Sequence, residues 1–487
     1  MQDKNRALLF AAAILSIFLI WNVFKSTQLQ PSLLAYDAKF SIFFRNYQTY
    51  GIGANHLFPA LNLKLTNPPS PAYLSESPFL SLVMFSAARL FGDRPMTYRG
   101  VILIINICFF LLLTFFVKRR WGMRPALWTL FFAALSPYAF RHGYEQTFEQ
   151  LCVLGMFSST FLYFEWFRER KDKYLILSVV VYLVGFAASY LALFSAAVIC
   201  THYLLFEKKG LRANFFKMSL FPLVSFGYVL SMSLLILTAG LSIRSWLIRV
   251  AVRSTGVSRY ELLSALFFYP LKLFGPILIA TALCYFFFRH RKPGFERGAL
   301  SDLALLYCLL IPGLLTCVIF RNLYVNHPYI VVFFLPFFVV SASLAVDHLL
   351  QIIQRKWLKR IVACVFTFSF LASSLFLPEI SRLFNHTATN NPCKRVADLS
   401  QEIKQEIRPQ DKLFVLNNEL IALTAFYILW IPTFEFAEEK DLAKQLEKEK
   451  QALVLCSGNE MINWIRKLKG SVLVASGQDI AFFRIIN

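Results

Sequence analysis

Residues 174–206 read YLILSVVVYLVGFAASYLALFSAAVICTHYLLF, 33 positions without one Asp, Glu, Lys or Arg. A bilayer core about 30 Å thick takes roughly 20 apolar helical residues to cross, at about 1.5 Å each. The run is therefore long for one span and barely enough for two. Its flanks decide between them. Arg168–Lys173 carries four basic residues before it and Glu207–Lys217 four after it. One long helix would put these two loops on opposite faces of a membrane and invert every later loop. A tight hairpin turning near Ser189-Tyr190 keeps both on one face, as the concentration of Lys and Arg in cytoplasmic loops requires.

Working outward, apolar runs at 7–24, 99–117, 125–141, 149–167, 218–239, 264–288, 301–320, 328–348 and 361–377 join the two halves of this hairpin. Together they predict a polytopic α-helical membrane protein of about eleven transmembrane helices over 1–377. The first run, Ala7–Phe24, lacks a small-residue cleavage site and reads as a retained span. Lys118–Arg124, Arg289–Arg297 and Gln351–Arg360 also hold four basic residues each, and all share the face of the N-terminus. The opposite loop 142–148 holds none. Residues 25–98 form a long first extracytoplasmic loop. Its stretches Asp37–Tyr50 and Pro78–Phe91 are too short to cross and suit helices lying in the interface.

The last 110 residues differ. Over 378–487, Lys+Arg and Asp+Glu are equal at 14 each, so the chain's net charge of +22 sits entirely in the membrane part. The charge therefore reports orientation, and nucleic acid is not an expected partner. Helical patterns at Lys394–Ile407, Glu419–Trp430, Glu438–Glu449 and Glu460–Leu468 alternate with strand patterns at Lys412–Leu416, Ala452–Cys456, Ser471–Ala475 and Ile480–Ile485. This predicts a small C-terminal α/β extracytoplasmic domain. Seven of the nine cysteines lie in apolar runs and read as packing residues. Cys393 and Cys456 lie outside the membrane, where pairing is open to them.

No phosphate-loop or dinucleotide glycine signature is present, so a reaction would use a preactivated substrate. Charged side chains expected at the extracytoplasmic face are the candidates for chemistry. Asp37, Glu76, Glu145 and Glu149 supply carboxylates, and Glu145 and Glu149 stand four apart, able to share a helix face. Carboxylates at membrane depth are costly and tend to line a cavity or pathway, although one at a helix start is also an ordinary cap. Arg244, Arg249, Arg253 and Arg259, with Trp246 and Tyr260, fill the loop 241–262, and Arg321 and His327 fill a later one. Guanidinium groups match phosphate oxygens two at a time. The alternative is an amphipathic helix whose arginines reach lipid headgroups.

These segments resemble the GT-C superfamily of membrane glycosyltransferases, most closely the branch with protein O-mannosyltransferases and the lipid A aminoarabinose transferase. Asp37 opening Asp37–Gly51, then Glu76-Ser77-Pro78-Phe79 and Arg89-Leu90-Phe91-Gly92, is similar to that family's first outer loop. Ser136-Pro137 followed twelve positions after the Pro by Glu149 is similar to its second acidic site, and Arg321–Pro336 to a late Tyr- and Pro-containing segment. The sequence departs from the pattern at Ala38, where many relatives carry a second acid, at Glu76-Ser77-Pro78, where many carry His-Pro-Pro, and in having Glu rather than Asp at 149.

The resemblance implies transfer, with inversion, of a sugar from a polyprenyl-phosphate donor to a hydroxyl of a lipid, glycan or protein acceptor. Asp37 would then be the base and the arginines would meet the leaving phosphate. Glu149 would orient the site or join Glu76 around a divalent metal ion. The alternatives are a lipid or glycan transporter or flippase, and a polymerase or ligase of lipid-linked glycans. The expected location is a bacterial cytoplasmic membrane, since the sequon Asn385-His386-Thr387 alone is too short to imply a eukaryotic lumen. The orientation has a direct test. In a cysteine-free background on intact cells, an impermeant maleimide is expected to reach a cysteine placed in 142–148 and not one placed in 207–217. The reverse pattern would overturn the hairpin.

Overall fold

The computed structural model describes residues 2–27, 46–48, 51–52, 57–58, 78–145, 147–207, 211–240, 242–291, 297–385, 396, 399–400, 402–407, 411–416, 429, 433–436, 439–449, 451–468, 470–476 and 480–486. Its helices are α1 (Gln2–Thr27), α2 (Phe79–Phe91), α3 (Pro95–Trp121), α4 (Met123–Ala134), α5 (Pro137–His142), α6 (Glu149–Glu169), α7 (Asp172–Ala188), α8 (Leu193–Phe206), α9 (Leu211–Met218), α10 (Leu220–Thr238), α11 (Ile243–Val252), α12 (Arg259–Phe274), α13 (Pro276–Arg291), α14 (Arg297–Ile319), α15 (Arg321–Asn326), α16 (Leu335–Ile352) and α17 (Lys356–Asn385). Among the described residues, six helices are long and apolar enough to cross a membrane, or seven if one bent pair counts as a span. By its contacts the chain divides into two units. One is Met1–Phe24, Leu74–Leu80 and Gly100–Phe384; the other is Lys25–Tyr73, Ser81–Arg99 and Asn385–Asn487.

The first unit is a helical bundle, and the decisive run 174–206 is broken within it. Helix α7 ends at Ala188, Ser189 is extended (φ −153, ψ 138), and a 3-10 turn at Tyr190–Ala192 leads into α8. Side chains show that the two halves run in opposite directions. The Cys152 thiol, near the start of α6, lies 3.6 Å from the Ser189 carbonyl. Arg170, just past the end of α6, pairs with Glu207, just past the end of α8. Between these points Tyr163 bonds His202 at 2.8 Å. So α6, α7 and α8 form three antiparallel passes, with the turn at the Glu149 end and Glu207 at the Arg170 end.

Two features hold these passes together. Toward the Glu149 end of α6 and α7, Gly155 and Gly185 meet backbone to backbone. A Cβ added to Gly155 would fall 2.5 Å from the Gly185 Cα, closer than any carbon tolerates. Below them Ser178 donates to the Ser159 carbonyl at 2.7 Å. Without a hydrophobic driving force between helices in lipid, such small residues let dispersion and hydrogen bonds act at short range. At the Arg170 end an ionic network closes the bundle. Glu165 accepts from Arg119 (2.8 Å) and Arg168 (2.7 Å). Asp302 on α14 accepts from Arg120 (2.8 Å) and the Trp121 indole (3.0 Å), and Lys217 holds Asp172 (2.8 Å). Lys171 and Arg119 hold the Glu169 carboxyl down to about 2. Its stabilising contribution is therefore fully present above the ordinary Glu value and lost as pH falls from there through about 2. Arg170 itself is in the left-handed region at φ 57. This is a strained place for a branched chain, and its pairing with Glu207 and packing over Trp166 and Phe167 hold it there.

The run 264–288 differs from expectation. It is not one helix. α12 and α13 meet at a 110° bend, and Gly275 at φ +83 makes it, a conformation that a side chain would strain. Ser258 and Glu261 form a capping box that starts α12, whose exposed Tyr260, Leu263, Phe267 and Phe268 give it an apolar outer face. The segment 328–352 is the centre of the bundle, 94% buried, whereas Lys356–Ser374 on its flank is 11% buried. Aromatic side chains fill the spaces between them. Phe131 and Phe132 pack on Phe370, and Phe286 on Phe337. The exposed cysteines Cys108, Cys284 and Cys364 lie on outward helix faces, while Cys152, Cys308 and Cys317 are core.

In the second unit α2 is a 13-residue helix, too short to cross a bilayer, and the Tyr47 ring packs on its Phe85. The C-terminal segment forms a five-stranded sheet in the order β2-β1-β3-β5-β4, from β1 (Leu413–Leu416), β2 (Thr433–Phe436), β3 (Gln451–Ser457), β4 (Ser471–Ser476) and β5 (Ile480–Ile486). β1 is parallel to β2 and β3, and β5 is antiparallel to β3 and β4. Helices α18 (Glu439–Leu446) and α19 (Asn459–Arg466) cover it with Leu442, Leu446, Ile462 and Ile465. All four strands expected from the sequence are present, and β2 is additional. The expected helix Lys394–Ile407 is described only in part, and Glu419–Trp430 lies almost wholly outside the described residues. Cys456 is a free thiol inside β3, with its titration pushed up to about 12 by burial, and Cys393 lies outside the described residues.

The Gly155–Gly185 contact predicts that Gly155→Val forces α6 and α7 apart at a cost of about 2 kcal/mol, typical of overpacking. A thermal unfolding midpoint in detergent equal to that of the parent chain would contradict it.

Candidate functional site

Two groups of polar side chains gather at the Glu149 end of the first unit. The acidic group is built on Ser136-Pro137. Ser136 is the N-cap of α5, its hydroxyl accepting from Ala139 N at 3.1 Å, and Pro137 occupies the first helical position, where its missing N–H costs nothing. The single turn and a half that follows carries Tyr138, Arg141 and His142. The chain then reverses through 143–148 and starts α6 at Glu149, whose carboxylate sits in the first turn where the helix dipole favours it. Asn106 on α3 donates to the Gly143 carbonyl at 2.8 Å, and Trp21 on α1 to the Phe140 carbonyl at 3.2 Å, so two helices hold α5 and the start of the reversal.

Inside it, Glu145 and Glu149 are 1% and 3% exposed, a burial that an unpaired charge would not sustain. Glu145 is bonded to Nδ1 of His142, itself buried. The Thr147 hydroxyl donates to the Gln150 side-chain oxygen. The Tyr138 hydroxyl lies within electrostatic reach of both carboxylates and beside Gln150. Its ring packs 5.3 Å from that of His142 and 6.5 Å from Phe274 at the end of α12. Arg141 and Lys272 stand within electrostatic reach of each other alongside.

The basic group is assembled from chain segments almost seventy residues apart. Arg321 Nε donates to the Ser254 carbonyl at 2.8 Å, Asn322 Nδ2 to Thr255 O at 2.7 Å, and Leu323 N to Arg253 O at 3.1 Å. Helix α15 is thereby stitched along 253–255. The Arg253 guanidinium reaches the Tyr190 hydroxyl and lies 5.5 Å from that ring, and Tyr190 packs on Phe320. Tyr190 belongs to the turn whose neighbour Ser189 meets Cys152 on α6, so the basic group and Glu149 occupy the same end of the bundle. His327 follows α15, its ring 5.5 Å from Tyr329.

Of the residues expected from sequence, Glu145 and Glu149 are together, as are Arg253 and Arg321. Arg244 and Arg259 are exposed, on α11 and at the start of α12. Arg249 lies on α11 and its side chain is outside the described residues, as are Asp37 and Glu76 altogether. Among the described residues, no three His, Cys, Asp or Glu side chains come close enough to hold a metal ion. Sequence reasoning gave no role to Tyr138, His142, Gln150, Tyr190 or Lys272. The three-residue spacing from His142 to Glu145 was a signal for one of them; nothing in the sequence joins Tyr190 to Arg253.

Comparison with known proteins meets this geometry. A family model, dolichyl-phosphate-mannose-protein mannosyltransferase, matches residues 75–256, which include α5, the reversal, α6 and the 253–255 segment. No curated protein matches the chain by sequence. In fold, the chain is similar to ArnT from Cupriavidus metallidurans bound to undecaprenyl phosphate, with a TM-score of 0.65 at 14% identity over 99% of this chain and 98% of that one. The apo state of the same protein gives 0.62 at 12% identity, over 100% and 99%. The archaeal oligosaccharyltransferase AglB from Archaeoglobus fulgidus, in complex with an inhibitory peptide and a dolichol-phosphate, gives 0.52 at 11% over 92% and 69%. The chain is a multi-pass membrane protein that shares the fold of ArnT and of AglB, and its segment 75–256 is similar to the mannosyltransferase family.

Because the Ser136 hydroxyl caps the N-terminus of a six-residue helix, Ser136→Ala is expected to lower stability by about 1 kcal/mol, read as a fall in the thermal midpoint. No fall would mean that the cap does not hold α5.

Proposed function

We propose that the chain is a glycosyltransferase that moves a sugar from a polyprenyl-phosphate donor to an acceptor hydroxyl of a lipid, glycan or protein, with inversion at the sugar carbon. In this reading the chain crosses a bacterial cytoplasmic membrane eleven times, with residues 1–377 as the catalytic module and 378–487 as an extracytoplasmic domain. The Glu149 end is then the extracytoplasmic end. One observation carries the proposal: Arg253 and Arg321, far apart in sequence, are bonded into one segment at the same end of the bundle as the buried Glu145 and Glu149. The likeness in fold to proteins solved with undecaprenyl phosphate and with a dolichol-phosphate supports the choice of donor.

The chemistry is consistent with those groups. The donor's phosphate ester is already activated, so its departure needs positive charge rather than a proton. Arg321 and Arg253 supply it, with Arg244, Arg249, Arg259 and His327 as further contacts to the donor or to membrane headgroups. The acceptor hydroxyl needs a base during attack, the role given to Asp37. Glu149 orients acceptor or base, with Glu76 and Glu145 lining the same site. A divalent ion between Glu76 and Glu149 is compatible with this scheme and is not required by it.

Loss of a general base typically lowers a rate by two to four orders of magnitude. Asp37→Asn is therefore expected to cut transfer from a defined polyprenyl-phosphate sugar at least about a hundredfold while the protein still folds. Near-normal transfer by the purified variant removes Asp37 from the mechanism. Arg321→Gln is expected to raise donor KM or lower turnover, and a variant unchanged in both leaves the phosphate to other cations.

A further inference from the structure

We infer that the reversal between α5 and α6 is a recognition subsite for the hydroxyls of a sugar ring, formed by Tyr138, His142 and Gln150. The inference rests on the glycosyltransferase reading and adds residues that reading leaves idle. Each of the three side chains has one part fixed and one polar atom unpartnered. His142 is held through Nδ1 by Glu145, and its Nε2 has no hydrogen-bond partner. Gln150 is held through its side-chain oxygen by Thr147, and its Nε2 has none. Tyr138 is clamped between the rings of His142 and Phe274, and its hydroxyl, though close to Gln150, makes no bond of full hydrogen-bond geometry. All three are 3% exposed or less. Buried polar atoms are nearly always bonded, and leaving one unmade is costly. Three within thirteen residues, each oriented from behind by a second group, form a preorganised set rather than a scatter of packing defects.

The mixture of atoms selects the ligand. With Nδ1 bonded to the Glu145 carboxylate, Nε2 is left to bond a ligand, as acceptor in the imidazole and as donor in the imidazolium. The Gln150 amide nitrogen is a donor, and the Tyr138 hydroxyl is both. A phosphate only accepts, and it would face the carboxylates of Glu145 and Glu149. Adjacent hydroxyls on a pyranose or furanose both donate and accept, and they satisfy all three atoms without adding charge. A site built to bond such hydroxyls discriminates strongly against a ligand that lacks them.

The test compares binding to the full chain of undecaprenyl phosphate with binding of the same lipid phosphate carrying glucose, galactose, mannose, N-acetylglucosamine, xylose or arabinose. At least one glycosylated lipid is expected to bind more tightly than the bare lipid. Tyr138→Phe, which keeps the ring and removes only the hydroxyl, and Gln150→Met are each expected to weaken that lipid about tenfold, the loss of one good hydrogen bond. Both are expected to bind the bare lipid phosphate as the parent does. If both variants keep the full preference while the parent still transfers the sugar, the subsite is overturned and the transferase reading stands. If the parent shows no preference for any glycosylated lipid and transfers none, the transferase reading falls and the subsite with it.

Discussion

The fold depends on one reversal, the break at Ser189 that lets an uncharged run of 33 residues go out and come back. Its physical basis is a balance of charge and contact. Basic segments on either side resist transfer through lipid, and Gly155 against Gly185 permits an approach close enough to hold the returning helix pair. The Arg170–Glu207 pair then fixes where the third pass ends. Had the run been one straight helix, Tyr190 would keep its level, but Glu207 and every later segment would be inverted. Tyr190 could not then receive Arg253, and the basic and acidic groups would be separated by the thickness of the bundle.

The two ends of the bundle use charge differently. At the Arg170 end nearly every carboxylate is matched by a cation within 3 Å: Glu165 with Arg119 and Arg168, Asp302 with Arg120, Asp172 with Lys217. In a low-dielectric setting such pairing is the way to keep buried charge without a large desolvation loss. At the Glu149 end the bonds are more selective. Glu145 is spent on orienting an imidazole, and Thr147 on orienting an amide. Arg321 is spent on a backbone carbonyl rather than on a carboxylate, which leaves its positive charge uncompensated by that contact. One end is thus neutralised pair by pair, and the other holds its polar groups oriented.

Much of this was legible beforehand because hydrocarbon imposes strict rules. Span length, the bias of Lys and Arg to one face, and the short apolar runs of β1, β3, β4 and β5 are local properties of the chain. The strand β2 escaped because Thr433–Phe436 is four residues long and gains its place only by pairing with β1. The 110° bend at Gly275 escaped because apolar content is the same in a straight helix and a broken one.

The sequence by itself determined the membrane class, the two-part division of charge, the position of the reversal and the identity of the charged residues available for chemistry. It could do so because transfer of charge or apolar surface between water and lipid is set residue by residue. Only the tertiary structure decided which of those residues meet. Arg321 reaches 253–255, Arg253 reaches Tyr190, and Tyr138 and Gln150 join His142 and Glu145, because helix packing closes gaps that no spacing in the chain encodes.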